Sequence, residues 1–495
     1  MAPKRALRLY NTLGRRVEEL RTHQPGKVGM YCCGPTVYEY QHIGNFRTYI
    51  LEDVLRRALT ALGYEVRHVM NVTDVGHLTD DADEGDDKML QSARREGKSA
   101  WDIAAFYTEQ FFRDSRALNI LEPHVVARAT NHIDEMIELI ERLESAKLTY
   151  EANGNVFYDV AGFDRYGELA LLDRQDLRAG ARIDVDSSKR NPEDFGLWFT
   201  RSKFERQEML WDSPWGRGYP GWHIECSAMA MKYLGETVDI HCGGIDHVPV
   251  HHTNEIAQSE GAIGLSSHSD RRWVSHWCHG EFLIIDSAKM SKSKGNLVRI
   301  DQLVEQGYEP LDYRYFVLGA HYRKQQNFTA ASLEAARSAR LNLVDRLASL
   351  ASEVGEAGAV DEQLAGADGE AHPLYQEALE LAASDLSMPR VLEVLWRLAK
   401  EASGPAVDLL AGAAAIDGIL GLGLVEAARR TAAERDVAAG APLDGEIRAL
   451  VDQREKARQE GDYATADRIR DDLAARGVEL QDTPEGVRWR QQASV

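Results

Sequence analysis

Gly29-Met30-Tyr31-Cys32-Cys33-Gly34-Pro35, the loop Thr36 to His42, then Ile43-Gly44-Asn45 running on to Leu51, Val54, Leu55, Ala58, Leu59 and Leu62: this stretch decides the fold. Its first part is a short apolar run stopped by Gly-Pro. The apolar positions that follow recur at spacings of three and four, which marks one face of a helix beginning just after Gly44. Val66-Arg67-His68-Val69-Met70-Asn71-Val72 then reads as a second strand. Strand, loop, helix and strand make a β-α-β unit, the building block of parallel sheets, and its first loop and helix N-terminus form the end suited to phosphate.

Working outward, Gly76 to Asp87 is rich in Asp and Gly and predicts a solvated loop. Ala100 to Lys147 reads as mostly helical. Leu148 to Gly218, with Gly154-Asn155, Asn191-Pro192 and Ser213-Pro214, is turn-rich and β-like and predicts an inserted subdomain. The sheet resumes at Val238-Asp239-Ile240-His241, Gly243-Gly244 ends that strand, and a helix starts near His251. Glu281 to Ile285 is a further strand-like run, and beyond Leu311 strand signals fade. Ala330 to about Arg430 is Ala- and Leu-rich with a linker near Gly355 to Gly369, the pattern of a helical bundle. Residues 441–495 form a small unit with helices expected over 446–459 and 463–476. The fold class is therefore α/β: a Rossmann-type parallel sheet built from 1–120 and 219–285, an insertion over 121–218, a loop region over 286–330, a bundle over 331–435 and the small unit at 441–495.

Bulk properties narrow the field. A chain of 495 residues, 44% hydrophobic and 28% charged, exceeds one compact core. The net charge of −21 means that a polyanionic ligand needs local basic patches. Five scattered cysteines, an odd number, argue against a disulfide framework and for a reducing, cytoplasmic setting. Met1 to Arg8 has no apolar run behind its basic residues, so no secretory signal is expected. Gly404 to Val425 contains Asp408 and Asp417 and reads as buried bundle helices rather than a membrane span.

His42 and Asn45 straddle Gly44 at the helix start, where free backbone N–H groups and the helix dipole favour phosphate oxygens. Those residues alone are a weak signal and describe an ordinary helix start better than a phosphate site. Lys289 and Lys292 flank Met290-Ser291 in a Gly- and Ser-containing loop whose ammonium groups suit a leaving pyrophosphate; alone they also fit a solvated basic loop. The two motifs together, in this order around a β-α-β unit, resemble the class I aminoacyl-tRNA synthetases.

Cys226 follows Gly221-Trp222-His223-Ile224-Glu225, and His251 and Glu255 stand four apart on a helix, on one face. With Cys33 they supply two thiolates, an imidazole and a carboxylate, a tetrahedral zinc set; core cysteines and a solvated His-Glu pair remain the alternative. The blocks Gly29 to Tyr38, Gly221 to Met229 and His251 to Ser259 are similar to the signature blocks of the cysteinyl-tRNA synthetases, and the likeness runs from Tyr10-Asn11-Thr12-Leu13 to Trp489-Arg490.

This resemblance implies that Cys33, Cys226, His251 and Glu255 hold one zinc ion whose open position takes the substrate thiolate. It implies that Thr73 and Trp222 surround the cysteine and that Asp246 faces its ammonium group. His42, Gly44, Asn45, Lys289 and Lys292 bind ATP, with Mg²⁺ accompanying it, and His42, Asn45, Lys289 and Lys292 carry catalysis. The expected partners are ATP, L-cysteine and a cysteine tRNA, the last read by an anticodon-binding domain over 441–495. A monomer without membrane contact is expected. Zinc then acts as a specificity device: oxygen and sulfur isosteres separate weakly by shape, whereas a soft metal–thiolate bond discriminates.

Three features depart from the pattern. Asn45 stands where many class I enzymes carry a second His, Thr253 replaces an acidic residue within the His251 block, and Cys32 and Cys242 add thiols beside the site. Extended backbone turns Cys32 to the face opposite Cys33. Rivals are a cysteine ligase that passes the adenylate to a small amine, against which Arg488-Trp489-Arg490 in the tail argues, and a non-catalytic zinc- or RNA-binding relative, against which Lys289 and Lys292 argue.

Overall fold

The capped helix that opens on His42 organises the first unit of the chain. It is α1 (Ile43–Ala61), and it packs on a sheet whose central strands are β3 (Lys27–Cys32) and β4 (Glu65–Val72). The computed structural model describes residues 5–76, 88–171, 189–201, 208–265, 269–285, 288–289, 297–355, 360, 363–364, 366–440, 445–476, 478–483 and 486–491. These fall into two units, one of Met1–Ala339, Gln376–Leu395 and Gly418–Leu422, the other of Arg340–Tyr375, Trp396–Asp417 and Gly423–Val495.

In the first unit a hairpin of β1 (Arg8–Asn11) and β2 (Arg16–Glu19) precedes β3. After β4 come α2 (Lys88–Glu96), α3 (Ala100–Ala117), β5 (Val125–Arg128) and α4 (Ile133–Ser145). Strands β6 (Thr149–Ala152), β7 (Asn155–Tyr158), β8 (Phe195–Phe199) and β9 (Tyr219–Pro220) form a separate antiparallel sheet. Then follow α5 (Trp222–Leu234), β10 (Val238–Gly244), α6 (His251–Ala262) and β11 (Val274–Gly280). The main sheet is fully parallel in the order β11-β10-β3-β4-β5, so the strand order reverses between β10 and β3. Ligands of open α/β sheets bind outside the carboxyl ends of the strands at such a switch point.

Registers follow from burial. Cys32 pairs with Cys242 and Met70, and Cys242 pairs with Cys278, so three thiols cross three adjacent strands in one row. Gly34 admits the close return of the next strand: a Cβ there would lie 1.8 Å from the Asn71 carbonyl oxygen, while the Gly34 N–H donates to Asn71 Oδ1 at 2.8 Å. Helix α1 is held by a buried cluster. The Asp53 carboxylate accepts from Arg314 at 2.5 Å, from Arg57 at 2.8 Å and from the Leu121 N–H at 2.8 Å. Those guanidinium groups overcome the burial that would raise its carboxyl, and hold it below the usual carboxylate range.

Short strands β12 (Leu283–Ile285) and β13 (Ala288–Lys289) pair antiparallel, and β14 (Gln326–Phe328), beyond helices α7 (Ile300–Glu305) and α8 (Pro310–Leu318), pairs parallel with β12. Buried Arg47 of α1 ties this region to the helix by donating to the carbonyls of Glu281, Phe282 and Lys324.

A run of helices follows: α9 (Ala330–Val354), α10 (Pro373–Ala383), α11 (Met388–Glu401), α12 (Ala406–Leu420) and α13 (Leu424–Gly440). Gly404 to Val425 is thus one helix, a turn and the start of the next, and no described helix is long and apolar enough to cross a membrane. In the second unit α14 (Gly445–Gln459) and α15 (Tyr463–Ala475) bury Ile447, Val451, Ile469 and Leu473 against each other. An antiparallel hairpin, β15 (Val478–Thr483) with β16 (Gly486–Gln491), completes that unit.

Several strand-level expectations change, among them β11 (Val274–Gly280), an edge of the main sheet where the sequence marks no strand. β5 lies inside the stretch read as helical, β14 lies beyond the point where strand signals faded, and the β1–β2 and β15–β16 hairpins were not anticipated. β10 ends at Gly243 and Gly244, as expected. The acidic loop lies almost wholly outside the described residues.

Candidate active site and metal centre

His42 is the N-cap of α1 and forms a reciprocal capping box with Asn45. The Asn45 N–H donates to His42 Nδ1 at 3.3 Å, and the His42 N–H donates to Asn45 Oδ1 at 3.1 Å. Acceptance at Nδ1 assigns the neutral ring its proton on Nε2. Two consequences follow: a helix N-terminus with its dipole faces the crevice, and the imidazole offers an N–H beside it.

That crevice, about 320 Å³, lies at the strand switch point. Its lining includes Cys33 and Gly34 from the end of β3, His42, Gly44 and Asn45, Asp246 and His247 after β10, and Gly280 to Leu283 after β11. Lys289 pairs through its backbone with Ile284, the residue after Leu283 of the lining. Lys292 lies outside the described residues.

Behind the crevice the sheet face and two helices enclose a polar cluster. Glu255, on α6, has no exposed side-chain surface; its Oε2 accepts from His241 Nε2 at 2.9 Å. Its Oε1 faces His251 Nε2 at 3.1 Å and His252 Nε2 at 3.8 Å but has no hydrogen bond of good geometry. Cys33 Sγ stands 3.2 Å from His252 Nε2. The donor atoms of Cys33, His251, His252 and Glu255 all lie within 4.8 Å of one another. Cys226, on α5, is a neighbour that interacts electrostatically with Cys33 and His251, but it is not among the four mutually close donors, so of the expected set the structure gathers Cys33, His251 and Glu255 and adds His252.

Electrostatics show the strain of that gathering. The hydrogen bond from Cys33 is the main influence bringing the Cys226 thiol down to about 7, against burial that would raise it. Burial also opposes the His251 charge, yet the Glu255 carboxylate and Cys226 hold its imidazolium to about 10. Glu255 falls to about 2 because His241 and His251 outweigh its desolvation. Burial drives His252 well below its ordinary value, with its neighbouring imidazoles adding to the effect.

These residues fit a cation. Lone pairs of sulfur, nitrogen and oxygen converge, and a buried carboxylate oxygen is left without a hydrogen bond. Two N and O donors on one tetrahedral zinc stand about 3.3 Å apart, close to the His251–Glu255 separation of 3.1 Å. His252 was missing from the sequence reading, though its signal was present: it lies three residues before Glu255, again on one helical face. His241 was missing as well, because its approach to Glu255 depends on sheet register.

The other expected residues lie near this cluster. Thr73 is buried; its hydroxyl donates to Glu225 Oε2 at 3.0 Å and accepts from Asn71 Nδ2 at 3.1 Å. Trp222, the first residue of α5, stacks on His251 with ring centroids 4.3 Å apart. Asp246 is exposed in a short 3₁₀ turn, Ile245–His247, and lines the crevice.

A parallel sheet with a capped helix at its switch point, followed by the short strand that carries Lys289, is the arrangement of the class I aminoacyl-tRNA synthetases. A solved Mycobacterium tuberculosis methionyl-tRNA synthetase bound by methionyl-adenylate shares the fold at a TM-score of 0.52 and 16% identity, over 84% of this chain and 95% of that one. The profile described as the tRNA synthetases class I (C) catalytic domain matches residues 19–338, and the one described as the cysteinyl-tRNA ligase anticodon binding domain matches 441–490. A cysteine–tRNA ligase of Treponema denticola is 48% identical across 98% of this chain and 99% of its own length. One from Burkholderia lata is 49% identical, across 97% and 96%. The chain belongs to the cysteinyl-tRNA synthetase family.

Proposed function

We infer that the chain joins L-cysteine to the 3′ end of cysteine tRNA at the expense of ATP. The observation that carries this reading is the group Cys33, His251, His252 and Glu255, whose donor atoms lie within 4.8 Å of one another beside the crevice that the capped helix opens onto, with Cys226 next to it. In the first step the cysteine carboxylate attacks the ATP α-phosphate in line, giving cysteinyl-adenylate and pyrophosphate. In the second a terminal ribose hydroxyl of tRNA attacks the adenylate carbonyl, and AMP leaves.

His42 serves the first step as a neutral donor through Nε2, its tautomer fixed by the Asn45 N–H. The N–H groups at the start of α1 and the Asn45 amide bind phosphate or ribose oxygens. Lys289 and Lys292 offset the charge of the departing pyrophosphate, with Mg²⁺ accompanying ATP. Asp246 takes the cysteine ammonium, and Trp222 and Thr73 close around the side chain.

Zinc is the metal that suits two thiols, an imidazole and a carboxylate, and when bound it supplies a soft site for the substrate thiolate. Cys33, Cys226, His251 and Glu255 would hold it. His252 then stands behind Cys33 and its N–H orients the sulfur, its own Nδ1 bonded to His279 Nε2 at 2.7 Å. Among the described residues the five cysteines are free thiols, in keeping with a reducing cytoplasmic setting.

Two assays on one preparation test this: cysteine-dependent exchange of pyrophosphate into ATP, and aminoacylation of a cysteine tRNA transcript. Both activities are expected. His251→Ala is expected to lose bound zinc and discrimination against serine; unchanged zinc content and selectivity would refute the ligand assignment.

A further inference from the structure

A row of hydrogen bonds runs through the interior from the first hairpin to Cys33. Thr12 Oγ1 lies 2.7 Å from His279 Nδ1, His279 Nε2 lies 2.7 Å from His252 Nδ1, and His252 Nε2 lies 3.2 Å from Cys33 Sγ. All four side chains are buried. They come from the turn after β1, the end of β11, the start of α6 and the residue after β3, so no sequence spacing announces them. Thr12 is fixed by its backbone: its N–H donates to the Trp277 carbonyl at 2.9 Å, while Asn11 Oδ1 accepts from the Trp277 N–H at 3.1 Å. The hairpin is thereby strapped to β11 two residues before His279. Trp277 shares a strand face with His279, and its buried ring, 4.9 Å from His252 and 6.2 Å from His279 between centroids, shields the row.

The row has a direction. Burial keeps both imidazoles neutral, and a neutral imidazole has one N–H and one lone pair, so a ring that donates at one nitrogen accepts at the other. A metal-bound Cys33 thiolate can only accept. His252 then carries its proton on Nε2, its Nδ1 accepts from His279 Nε2, and His279 Nδ1 in turn requires a donor. Among the described residues the Thr12 hydroxyl is the partner of that nitrogen.

We propose that Thr12 is a positioning residue for the metal site: through His279 and His252 its hydroxyl holds the proton on His252 Nε2, and with it the hydrogen bond that orients the Cys33 sulfur. The proposal rests on the zinc reading of that site. Hydrogen bonds behind a metal ligand fix its orientation and tune its basicity, and here the support begins three bonds away from the sulfur. Thr12→Val keeps the shape of the side chain and removes the donor. The His279 proton is then free to sit on Nδ1, the His252 proton follows to Nδ1, and a lone pair faces Cys33. A thiol tolerates that reversal by donating, whereas a metal-bound thiolate cannot. The loss therefore falls on the zinc-bound form.

Zinc affinity of the full-length protein, measured by competition with a chromophoric chelator, tests it. The affinity should fall about tenfold in Thr12→Val, the lower end of what partners behind a metal ligand contribute, and Thr12→Ser, which restores the hydroxyl, should stay within about twofold of the unsubstituted protein. Histidine-selective nitrogen NMR of the zinc-loaded protein should find both His252 and His279 protonated on Nε2. Unchanged affinity in Thr12→Val, an equal loss in Thr12→Ser, or a proton on Nδ1 of either ring in the unsubstituted protein would overturn the proposal. If the unsubstituted protein bound no zinc in the same titration, the metal reading itself would fall and take the proposal with it.

Discussion

Asn45 helps cap α1 and, in the proposed mechanism, also holds phosphate or ribose, and two substitutions separate these tasks. Its Oδ1 accepts from the His42 N–H at 3.1 Å, the backward half of the capping box, while its Nδ2 group is left to face the crevice. Asn45→Ala removes both. Loss of the capping bond costs about 1 kcal/mol of stability, and loss of one donor to developing phosphate charge costs about 10²–10³ in kcat. Asn45→Asp keeps an acceptor in the capping position and adds a charge that the helix dipole tolerates, so stability should match that of the unsubstituted protein or exceed it slightly. That same carboxylate removes the donor and repels ATP, so its rate should fall at least as far as that of Asn45→Ala. The assay is cysteine-dependent pyrophosphate exchange, read as kcat and KM for ATP, beside urea unfolding of each variant. If Asn45→Asp exchanges within about twofold of the unsubstituted rate, Asn45 is only a cap, and its assignment to phosphate or ribose is wrong.

Two stability predictions follow from buried charge in the same unit. Asp53→Ala takes from Arg314, whose side chain has no exposed surface, the carboxylate that balances its charge, a loss of about 3–5 kcal/mol in chemical denaturation. The paired change Asp53→Leu with Arg314→Leu should recover most of that loss, and a single-variant loss below about 1 kcal/mol contradicts the burial argument. His68 is buried with neither ring nitrogen hydrogen-bonded, and desolvation pulls it from 6.5 to about 3. The unfolded chain therefore takes up this proton first, so the stability due to neutral His68 is complete above pH 6.5 and drains away toward pH 3 at about 1.4 kcal/mol per unit. His68→Leu should flatten the decline between pH 6.5 and 5 by about 2 kcal/mol; parallel profiles for the two proteins would refute the shift.

What could be read in advance, and what could not, divides along periodicity. Helix α1 and strands β3 and β4 announce themselves because Leu51 to Leu62 repeat at helical spacing and the flanking runs are apolar and ended by turn residues. Strand β14, Gln-Asn-Phe, has one apolar residue in three, and its strand identity comes from pairing with β12. β5 is four residues between helices. In the terminal hairpin polar residues outnumber apolar ones on both strands. The site divides in the same way. His251 and Glu255 declare one face of one helix, but the contacts of His241 with Glu255 and of Cys33 with His252 join segments more than ten residues apart. Only tertiary structure brings those together.

The membership of Cys33 in the candidate metal site is, in the end, a matter of phase. Two adjacent thiols end β3: Cys32 reaches Glu52 and Cys242 on the side of α1, and Cys33 reaches Cys226 and His252 on the other side. Chemistry does not distinguish them, and a shift of one residue would exchange them. What fixes their parity is the Cys33 N–H on the Cys242 carbonyl and the Gly34 N–H on Asn71 Oδ1, with no room for a side chain at Gly34. In the proposed site, which thiol serves is thus stored in a glycine and an asparagine that are not themselves proposed ligands. A one-residue insertion or deletion within Lys27–Cys32 could preserve every metal-binding side chain and still silence the enzyme by presenting the right element on the wrong face.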